Sequence, residues 1–317
     1  MITETQSNNL IKKIKTFDTI IIAKHISPDW DAQGSALGLK HIIQDNFPDK
    51  SVYVVGAKLN EAANFEDEFT IDETNLNNSL LITVDVANFD RIDYQHKNDV
   101  KEIFKIDHHL ESDNFTEDKL VDDKAISCTQ VISQWAYFNK LKVSKTAAEF
   151  LYFGLITDSG RFLYRNTSAE TFEVASNLLQ EDIDITKIYD DLYLKNLVVV
   201  KWLNKMFLKA KQVKDYTISY IFIKDKDLRK SSIKEEKMKM ALSTMSGIKE
   251  IDIWFLVYKN KLGELKVSLR SRNFDINSVA IKYNGGGHKL ASGCKLTSLK
   301  ELKLLIEDLK KLINNNI

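Results

Sequence analysis

Short apolar runs that do not alternate with polar residues constrain the fold of this chain more than any other sequence feature. A strand buried on both faces has such a continuous pattern, whereas a strand with one face in water alternates. Four runs rich in β-branched residues have it: DTIIIA (18–23), SVYVVG (51–56), SLLITVD (79–85) and EIFKID (102–107). Helical patterns lie between and after them, at 35–47, 127–139, 145–157 and 168–180. This alternation predicts an α/β fold with a mostly parallel sheet flanked by helices.

The pattern changes after about residue 184, where 185–213 predicts one or two charged helices. The later predicted strands are 216–223, 251–258 and 264–271, and the later predicted helices are 231–247 and 298–313. The last two strands read as a hairpin with Gly263 in the turn. These elements predict a smaller α+β C-terminal domain. We therefore divide the chain into an N-terminal domain over 1–185, a helical connector over 186–212 and a second domain over 213–317.

Composition limits the classes of function. The chain has 45 Lys and Arg against 45 Asp and Glu, so an anionic ligand must be captured locally rather than by a whole-molecule field. Cys128 and Cys294 are too few for a disulfide framework or a cysteine-rich zinc site, and we expect two buried thiols. No window of about 18 uncharged apolar residues exists, and the N-terminal segment lacks the apolar core of a signal peptide. We expect a cytoplasmic protein that does not associate with membranes.

Titratable side chains follow the predicted strands at the points where the strands end. There are four groups: His25, Asp29 and Asp31 after 18–23; Asp85 at the end of 79–85; Asp107, His108 and His109 at the end of 102–107; and Asp158 after AAEFLYFGLIT (147–157). We count the last group as a fourth strand end. Because ligands of parallel α/β sheets bind at the carboxyl ends of the strands, we expect the four groups to meet on one rim.

Such a cluster predicts a metal centre. Carboxylates held together repel each other, and burial of an unpaired charge costs on the order of several kcal/mol. Oxygen and imidazole ligands without thiolate suit Mn²⁺ or Mg²⁺, with Zn²⁺, Fe²⁺ or Co²⁺ as alternatives. Two metals about 3.5–4 Å apart can share a carboxylate and hold a water that attacks phosphorus. An isolated strand-end Asp is usually a turn or a helix cap. The four groups together therefore predict metal-assisted hydrolysis of a phosphoester or phosphoanhydride.

The segment YNGGGHKLASG (283–293) is a second candidate site. Consecutive glycines let the backbone approach a ligand and present N–H groups, and His288 follows them. Arg270 and Arg272 end the preceding strand, and arginine forks match phosphate oxygens. A bare glycine run would be a flexible turn, but with these side chains we predict a phosphate or nucleotide clamp. Eight of the 11 glycines lie in or beside the two sites, where we expect unusual backbone conformations: Gly34, Gly38, Gly154, Gly160, Gly285, Gly286, Gly287 and Gly293.

Five blocks resemble, in the same order, the signature blocks of the DHH phosphoesterase superfamily with its C-terminal DHH-associated domain. They are HISPDWDAQGS, TVDVANFDR, IDHH, GLITDSGRF and GGGHKLASG. Within this family the two-domain form is similar to bacterial nanoRNase (oligoribonuclease)/pAp phosphatases, including mycoplasma proteins. Those enzymes cut very short oligoribonucleotides to mononucleotides and remove the 3′-phosphate of 3′-phosphoadenosine 5′-phosphate (pAp). The resemblance implies a catalytic metal-binding domain and a substrate-binding domain that face each other across a cleft.

The resemblance also implies two divalent metal ions, above all Mn²⁺, with Mg²⁺ or Co²⁺ as alternatives, and a role for each matching residue. His25 and Asp29 resemble ligands of the first metal. Asp31, His108 and Asp158 resemble ligands of the second, and Asp85 resembles the carboxylate that bridges both. Asp107 resembles a residue that supports the metal ligands without binding a metal itself. His109 resembles the residue that contacts the scissile phosphate and helps the leaving oxygen.

The resemblance assigns the substrate clamp to the second domain. Its residues would be Arg270, Ser271, Gly286, Gly287 and His288. The implied partners are short single-stranded RNA oligonucleotides and a nucleotide 3′,5′-bisphosphate, and a homodimer is kept open. Two residues depart from the family pattern: Trp30 is bulky, and Gln130 stands where Glu is common. Their roles are left open.

Other functions stay open at this point. The same motifs serve hydrolysis of cyclic or linear di-adenylate signalling nucleotides, although relatives that do this in membranes carry added sensor domains. Inorganic pyrophosphatase or polyphosphatase activity fits the metal motifs, but the GGGH and SLRS segments favour a nucleotide. A RecJ-like DNA exonuclease usually has a longer chain. A nucleotide-binding sensor with a dead site is the non-enzyme alternative, and the retention of every metal-ligand position argues against it.

Overall fold

A computed structural model describes residues 3–59, 71, 73–110, 113–228, 238–260 and 263–315. The chain divides into two compact units, Met1–Tyr193 and Leu194–Ile317, and each unit has its own sheet. The division falls inside the segment 186–212 that the sequence predicts as a connector.

The first unit contains a five-stranded sheet whose described strand pairs are all parallel. The strands are β1 (Thr19–Ala23), β2 (Ser51–Val54), β3 (Leu80–Val84), β4 (Glu102–Asp107) and β5 (Lys119–Val121). They lie in the order β2-β1-β3-β4-β5, so the chain turns away from the β1–β3 junction in both directions. Open parallel sheets bind ligands at such a switch point. The predicted α/β fold with a parallel sheet is confirmed, and β5 is a strand that the sequence patterns did not predict.

Burial on both faces explains the continuous apolar runs. In β1, Ile20 and Ile22 pack into the larger core of the first unit. Ile21 and Ala23 pack into a smaller core on the opposite face. Every residue of β1 and of β3 is buried. The alternation of polar and apolar residues that marks a half-exposed strand is therefore missing from both.

The described helices of the first unit follow the predicted pattern with two additions. They are α1 (Glu4–Thr16), α2 (Trp30–Asn46), α3 (Glu73–Asn77), α4 (Cys128–Phe138), α5 (Lys145–Asp158), α6 (Ala169–Leu179) and α7 (Ile185–Tyr193). The sequence patterns predicted neither α1 nor α3. Helix α2 begins at Trp30 rather than at the predicted residue 35, because Asp29 caps it. Oδ1 of Asp29 accepts the backbone N–H groups of Asp31 and Ala32.

Asp158 is the last residue of helix α5, so the prediction that it follows a strand is wrong. It still reaches the rim of the sheet because α2 and α5 pack against each other at unusually short range. A Cβ atom on Gly34 of α2 would lie 2.3 Å from the backbone oxygen of Phe150 in α5. A Cβ atom on Gly154 of α5 would lie 2.9 Å from Oδ1 of Asp31. The end of α5 therefore lies beside the start of α2.

The second unit contains a mixed six-stranded sheet in the order β10-β11-β9-β8-β7-β6. Its strands are β6 (Lys211–Gln212), β7 (Ile218–Ile223), β8 (Ile253–Lys259), β9 (Leu265–Ser271), β10 (Gly286–His288) and β11 (Ala291–Leu296). Its main helices are α8 (Leu197–Phe207) and the C-terminal helix Leu299–Asn314, with shorter helices at Asp225–Leu228 and Asn277–Ala280. Strands β8 and β9 are antiparallel, as the predicted hairpin requires. This sheet with its helices confirms the predicted α+β unit.

Two predicted elements of the second unit take a different form in the structure. The predicted helix 231–247 is a 3₁₀ helix over Lys239–Met245, and its first part, 231–237, lies outside the described residues. The glycine run forms strand β10 rather than an open loop. Cys128 and Cys294 are free and buried, as predicted. Among the described residues, no helix is both long and apolar enough to cross a lipid bilayer.

The substitution Gly34→Ala tests the short contact between α2 and α5. We expect it to lower the free energy of unfolding by about 1–3 kcal/mol, because the new methyl group collides with the backbone of α5 and not with a movable side chain. The better helix propensity of alanine, worth up to about 1 kcal/mol, offsets only part of this loss. Urea unfolding measures the change.

Gly286→Ala is the matched control for stability, since nothing lies within 4 Å of the place that its new methyl group would occupy and its backbone φ is not left-handed. Equal stability of Gly34→Ala and wild type would contradict the short helix contact.

Candidate metal centre

Three neighbouring strands of the first unit lead into titratable residues. Strand β1 is followed by His25, β3 by Asp85, and β4 ends at Asp107. Because β3 lies between β1 and β4, Asp85 takes the middle position. The other predicted ligands come from the start of α2, the residue after β4 and the end of α5: Asp29, Asp31, His108 and Asp158.

Asp85 is the centre of the cluster. Its Oδ2 lies 3.4 Å from Nε2 of His25, and its Oδ1 lies 3.5 Å from Nε2 of His108 and from Nδ1 of His109. The backbone of Asp85 is left-handed, with φ +58°, which costs a non-glycine residue on the order of 1 kcal/mol. Oδ1 is buried and accepts no hydrogen bond from the described residues. A buried carboxylate oxygen left in this way fits a bound cation.

His108 also faces two further carboxylates. Its Nε2 lies 3.6 Å from Oδ2 of Asp31 and 4.0 Å from Oδ2 of Asp158. Asp31 is fully buried, and its two oxygens accept the backbone N–H groups of Cys128, at 2.7 Å, and Thr129, at 3.0 Å. These N–H groups begin α4, and a helix N-terminus carries partial positive charge that stabilises a carboxylate. Sequence reasoning missed this contact because a capping pattern predicts where a helix begins but not which distant side chain its first N–H groups contact.

Backbone carbonyls orient two of the imidazoles. Nδ1 of His25 lies 3.0 Å from the oxygen of Ile26, and Nδ1 of His108 lies 3.3 Å from the oxygen of Ala125. A carbonyl only accepts, so Nδ1 carries the proton of the neutral ring and Nε2 is left as the ligand atom. Nε2 of His25 also lies 3.9 Å from Oδ1 of Asp29.

The donor atoms form three overlapping groups that could each hold a metal ion, with the atoms of each group within 4.8 Å of one another. The groups are His25–Asp29–Asp85, Asp31–His108–Asp158 and Asp85–His108–His109. The first two contain every residue that the resemblance assigns as a metal ligand. Oxygen and nitrogen donors without sulfur suit hard divalent cations. The residues present therefore fit such ions, and the assignment of each ligand to an ion stays a prediction.

Asp107 fixes the position of His109. It is fully buried, and its Oδ1 accepts the backbone N–H of His108 at 2.9 Å and lies 2.8 Å from Nδ1 of His109. Its Oδ2 lies 3.2 Å from Nζ of Lys105, a buried lysine that the sequence analysis did not single out. Burial alone would raise the pKa of Asp107, but the bond to His109 and the charge of Lys105 hold it below its ordinary value. Because Nδ1 of His109 is bound, only its Nε2 remains for a substrate.

Crowding of the carboxylates shifts the pKa values of the centre when no cation neutralises it. Burial and the charge of Asp85 raise the pKa of Asp31 to about 7. Burial and the charge of Asp31 raise the pKa of Asp158 to about 9. Burial lowers the pKa of His108, but the close contact with Asp85 and the charge of Asp31 outweigh this and raise it to about 10. The cluster therefore retains protons that a cation would displace.

Two residues whose roles the sequence left open have partners within the first unit. The ring of Trp30 stacks on Phe153, with centroids 4.5 Å apart and an interplanar angle of 17°. Oε1 of Gln130 accepts the hydroxyl of Thr171 at 2.9 Å, which joins α4 to α6. Both side chains therefore contribute to packing around the cluster.

The second unit places two predicted clamp residues in one row across its sheet. Arg270 of β9 pairs with Ala291 of β11, which pairs with His288 of β10. Residues directly opposite on neighbouring strands share a face, so the side chains of Arg270 and His288 lie on the same face. Gly286 belongs to that face as well, with open space where a Cβ atom would stand.

The other two predicted clamp residues lie differently. Ser271 follows Arg270 along β9 and faces the opposite side, where it is buried and its Oγ accepts the backbone N–H of Phe274 at 2.8 Å. Gly287 has φ +138°, and a Cβ atom there would lie 2.6 Å from the backbone oxygen of Ala291. The clamp role of both residues stays a prediction.

A groove of about 260 Å³ opens on the Arg270 face of the sheet, with Ser268, Tyr258 and three lysines in its lining: Lys239, Lys266 and Lys295. Lys266 lies four residues before Arg270 on β9 and pairs with Lys295 of β11. Sequence reasoning missed this positive groove because its lysines are far apart in the chain. Strand register brings Lys266 and Lys295 together, and the packing of the 3₁₀ helix Lys239–Met245 adds Lys239.

Two protein-family models match the chain. The DHH family, N-terminal domain, matches residues 19–155, and the DHHA1 domain matches residues 214–315. The probable bifunctional oligoribonuclease and PAP phosphatase NrnA of Streptococcus mutans is 35% identical, over 98% of this chain and 99% of that protein. The bifunctional oligoribonuclease and PAP phosphatase NrnA of Bacillus subtilis is 32% identical, and its namesake of Mycoplasma genitalium is 34% identical. Each alignment covers 96% of this chain and 97% of the relative.

Solved structures share the fold. An exopolyphosphatase-related protein of Bacteroides fragilis superposes with a TM-score of 0.86 at 24% identity, over 99% of both chains. RecJ of Thermus thermophilus, solved in complex with Mn²⁺, superposes with a TM-score of 0.55 at 13% identity, over 96% of this chain and 54% of RecJ. These likenesses concern the fold alone.

Metal binding should release protons and strengthen as the pH rises. Asp158 and His108 have pKa values raised to about 9 and about 10, so both hold protons at pH 7.5 and must lose them to become ligands. We expect the apparent affinity for Mn²⁺ to increase from pH 6.5 to 8.5. Titration calorimetry in two buffers of different ionisation enthalpy measures the released protons. Binding that is independent of pH and releases no proton would contradict the raised pKa values.

Proposed function

We propose a function for this chain on one premise: the chain belongs to the DHH family. It is a metal-dependent phosphoesterase that hydrolyses short oligoribonucleotides to mononucleotides and removes the 3′-phosphate of pAp. The observation that carries the proposal is the convergence of histidine and aspartate side chains from three strands and two helices on buried Asp85 and its neighbour His108. The three NrnA relatives, at 32–35% identity, carry both activities in their names.

Two divalent ions complete the proposed site, with Mn²⁺ as the first choice and Mg²⁺ or Co²⁺ as alternatives. The proposed ligands are His25, Asp29 and Asp85 for one ion and Asp31, His108, Asp158 and Asp85 for the other. Bound ions of this kind lower the pKa of a water and neutralise charge on a phosphate. The protein keeps the ligand atoms in place: the start of α4 holds one carboxylate, and backbone carbonyls orient two imidazoles.

We assign the contact with the scissile phosphate to His109. Asp107 accepts from its Nδ1, so Nε2 is left for the substrate, and in the imidazolium form of the ring it can donate to a phosphate oxygen or to the leaving oxygen. Asp107 is itself held by Lys105, which keeps the buried carboxylate paired. The roles of Asp107 and Lys105 are to position the imidazole.

The face of Arg270 and His288 is the proposed substrate clamp. A guanidinium and an imidazole in one row match the oxygens of a phosphate, and the open edge at Gly286 admits a ligand close to the backbone. The groove with its three lysines extends the positive face. A substrate longer than pyrophosphate would use this extended surface, which favours a nucleotide.

A phosphodiesterase of cyclic or linear di-adenylate is the second candidate. The same metal centre and the same positive face suit a molecule with two phosphates and two bases. Because both functions would use the same site residues, mutations cannot distinguish them, and a comparison of substrates is needed.

The experiment is a side-by-side turnover assay with Mn²⁺. Its substrates are pAp, a labelled RNA dinucleotide and pentanucleotide, cyclic di-adenylate and pyrophosphate. We expect turnover of pAp and of the RNA oligonucleotides. Asp85→Asn should lower each of these rates more than about 100-fold, since even residues that only orient metal ligands contribute about 10- to 100-fold.

Turnover of cyclic di-adenylate or pyrophosphate alone would refute the proposed substrates while keeping the metal chemistry. Near-normal activity of Asp85→Asn at saturating Mn²⁺ would refute the assignment of Asp85 as a ligand of both ions.

Arg270→Ala tests the clamp. Loss of a charged hydrogen bond to phosphate is worth about 1.5–3 kcal/mol, so kcat/KM for pAp should fall about 10- to 100-fold. Hydrolysis of bis(p-nitrophenyl) phosphate, a small artificial phosphodiester without a nucleoside or a second phosphate, should change little. Arg270→Lys should give an intermediate loss because it keeps the charge and not the fork. An equal loss on both substrates would refute the proposed clamp.

Two further parts of the proposal concern the cell and the assembly. We place the enzyme in the cytoplasm, where RNA degradation generates its substrates. A homodimer stays a prediction, which sedimentation of the purified protein can test.

A further inference from the structure

The turn that follows Asp158 has an unusual backbone. Gly160, Arg161 and Phe162 are consecutive left-handed residues, with φ of +56°, +64° and +64°. Non-glycine residues adopt this conformation only at an energetic cost, and such strain clusters at functional sites. Here the strained non-glycine residues, Arg161 and Phe162, begin three positions after a proposed metal ligand.

Hydrogen bonds and packing hold the turn in a single shape. The backbone oxygen of buried Ser159 accepts from the N–H groups of Leu163, at 3.0 Å, and Tyr164, at 3.1 Å. Its Oγ accepts from the N–H of Phe162 at 3.0 Å. The ring of Phe162 stacks on Phe172, with centroids 5.1 Å apart. The turn is therefore anchored on one side, while the next two side chains point into solvent.

Tyr164 is an exposed aromatic residue in a fixed position. Its side chain is 58% exposed. Its ring lies against the backbone of Gly160, where a Cβ atom would come within 2.5 Å of the ring. Contact with the backbone, rather than burial in the core, therefore places this ring. Gly160 stands two residues after Asp158, so the turn that carries the partly exposed ring begins at the end of α5, next to a proposed metal ligand.

Two other exposed apolar side chains directly follow histidines of the cluster in the chain. Ile26, directly after His25, is 50% exposed, and Leu110, directly after His109, is 77% exposed. Single exposed apolar residues are common on protein surfaces. Apolar side chains in three segments that carry residues of the cluster would suit a ligand with a flat apolar body attached to a phosphate.

We propose that the ring of Tyr164 is the platform on which a nucleobase of the substrate stacks. The inference rests on the proposed function, and it deepens it by naming a residue that selects nucleotides over phosphates without a base. Stacking on an aromatic ring tolerates every base, as an enzyme for oligonucleotides of any sequence requires. Tyr164 touches the base and not the reacting phosphorus, so it determines specificity and is not a catalytic residue.

A cycle of variants and substrates tests the platform. The substrates are the dinucleotide ApA and two analogues in which one or the other adenine is replaced by hydrogen. For Tyr164→Ala we expect kcat/KM on ApA to fall about tenfold or more. The loss should lie mainly in KM, because the base is remote from the bond that breaks. On the analogue that lacks the stacked adenine, wild type and Tyr164→Ala should be equal.

Two control variants separate stacking from support of the fold. Tyr164→Phe keeps the ring and should retain the activity of wild type on ApA. Phe138→Ala removes a ring that is equally exposed, at 58%, from the far end of α4, and should also behave as wild type. Thermal unfolding with and without Mn²⁺ confirms that each variant is folded and binds metal.

Two results would overturn the platform. One is full activity of Tyr164→Ala on ApA. The other is an equal loss on ApA and on both analogues, which would mean that the ring only supports the Asp158 turn. If wild type hydrolyses no dinucleotide, the proposed function fails separately, and equilibrium binding of ApA to wild type and Tyr164→Ala then decides the platform.

Discussion

Repulsion among aspartates that share one small volume is the constraint on which the rest of the first unit depends. Asp31 and Asp85 are almost fully buried, and Asp29 and Asp158 face the same imidazoles. The fold compensates each charge locally: Asp29 caps α2, Asp31 accepts from the start of α4, and Asp85 faces three imidazoles. These contacts leave Oδ1 of Asp85 without a hydrogen bond and the pKa of Asp158 well above its ordinary value. Bound cations would neutralise the remaining carboxylate charge, which gives a physical reason for a fold to hold these acids together.

Two structural features, close helix packing and left-handed backbone, position the residues of this cluster. The glycines of α2 and α5, Gly34 and Gly154, have ordinary helical conformations and serve close contact between helices. The prediction that the motif glycines mark unusual backbone is therefore wrong for most of them; only Gly160 and Gly287 among the eight have positive φ. Four of the eight left-handed non-glycine residues in the described ranges lie at or near the cluster: Ser27, Asp85, Arg161 and Phe162. The other four lie elsewhere: Lys140, Asp182, Asp215 and Asn284. Strained backbone is therefore present at the cluster without being confined to it, whereas Gly34 and Gly154 serve the close contact between α2 and α5.

Features that depend on neighbouring residues in the chain could be predicted from the sequence, and features that depend on tertiary contacts could not. Strands β1, β3 and β4 were predictable because a strand buried on both faces has a continuous apolar run, and the ends of these runs locate the histidines and aspartates. The helix before Asp158 was itself predicted, over 145–157, and the error was to group the end of that helix with the strand ends. Strands β10 and β11 are rich in glycine and small residues and carry no strand pattern. The N–H groups of α4, the Lys105–Asp107 pair and the lysine groove depend on tertiary contacts or on strand register, which no local pattern contains.

The neutral composition of the chain conceals a strong local separation of charge. The first unit gathers aspartates at its cluster, whereas the second unit gathers Arg270 and three lysines on one sheet face. A phosphate is repelled by the first of these sites until cations neutralise the carboxylates, but the second site attracts it without any metal. In the proposed function, recognition of the anion and activation of water would therefore use separate surfaces with opposite charge. A net charge of zero is compatible with two local sites of opposite charge, and it therefore does not exclude an anionic substrate.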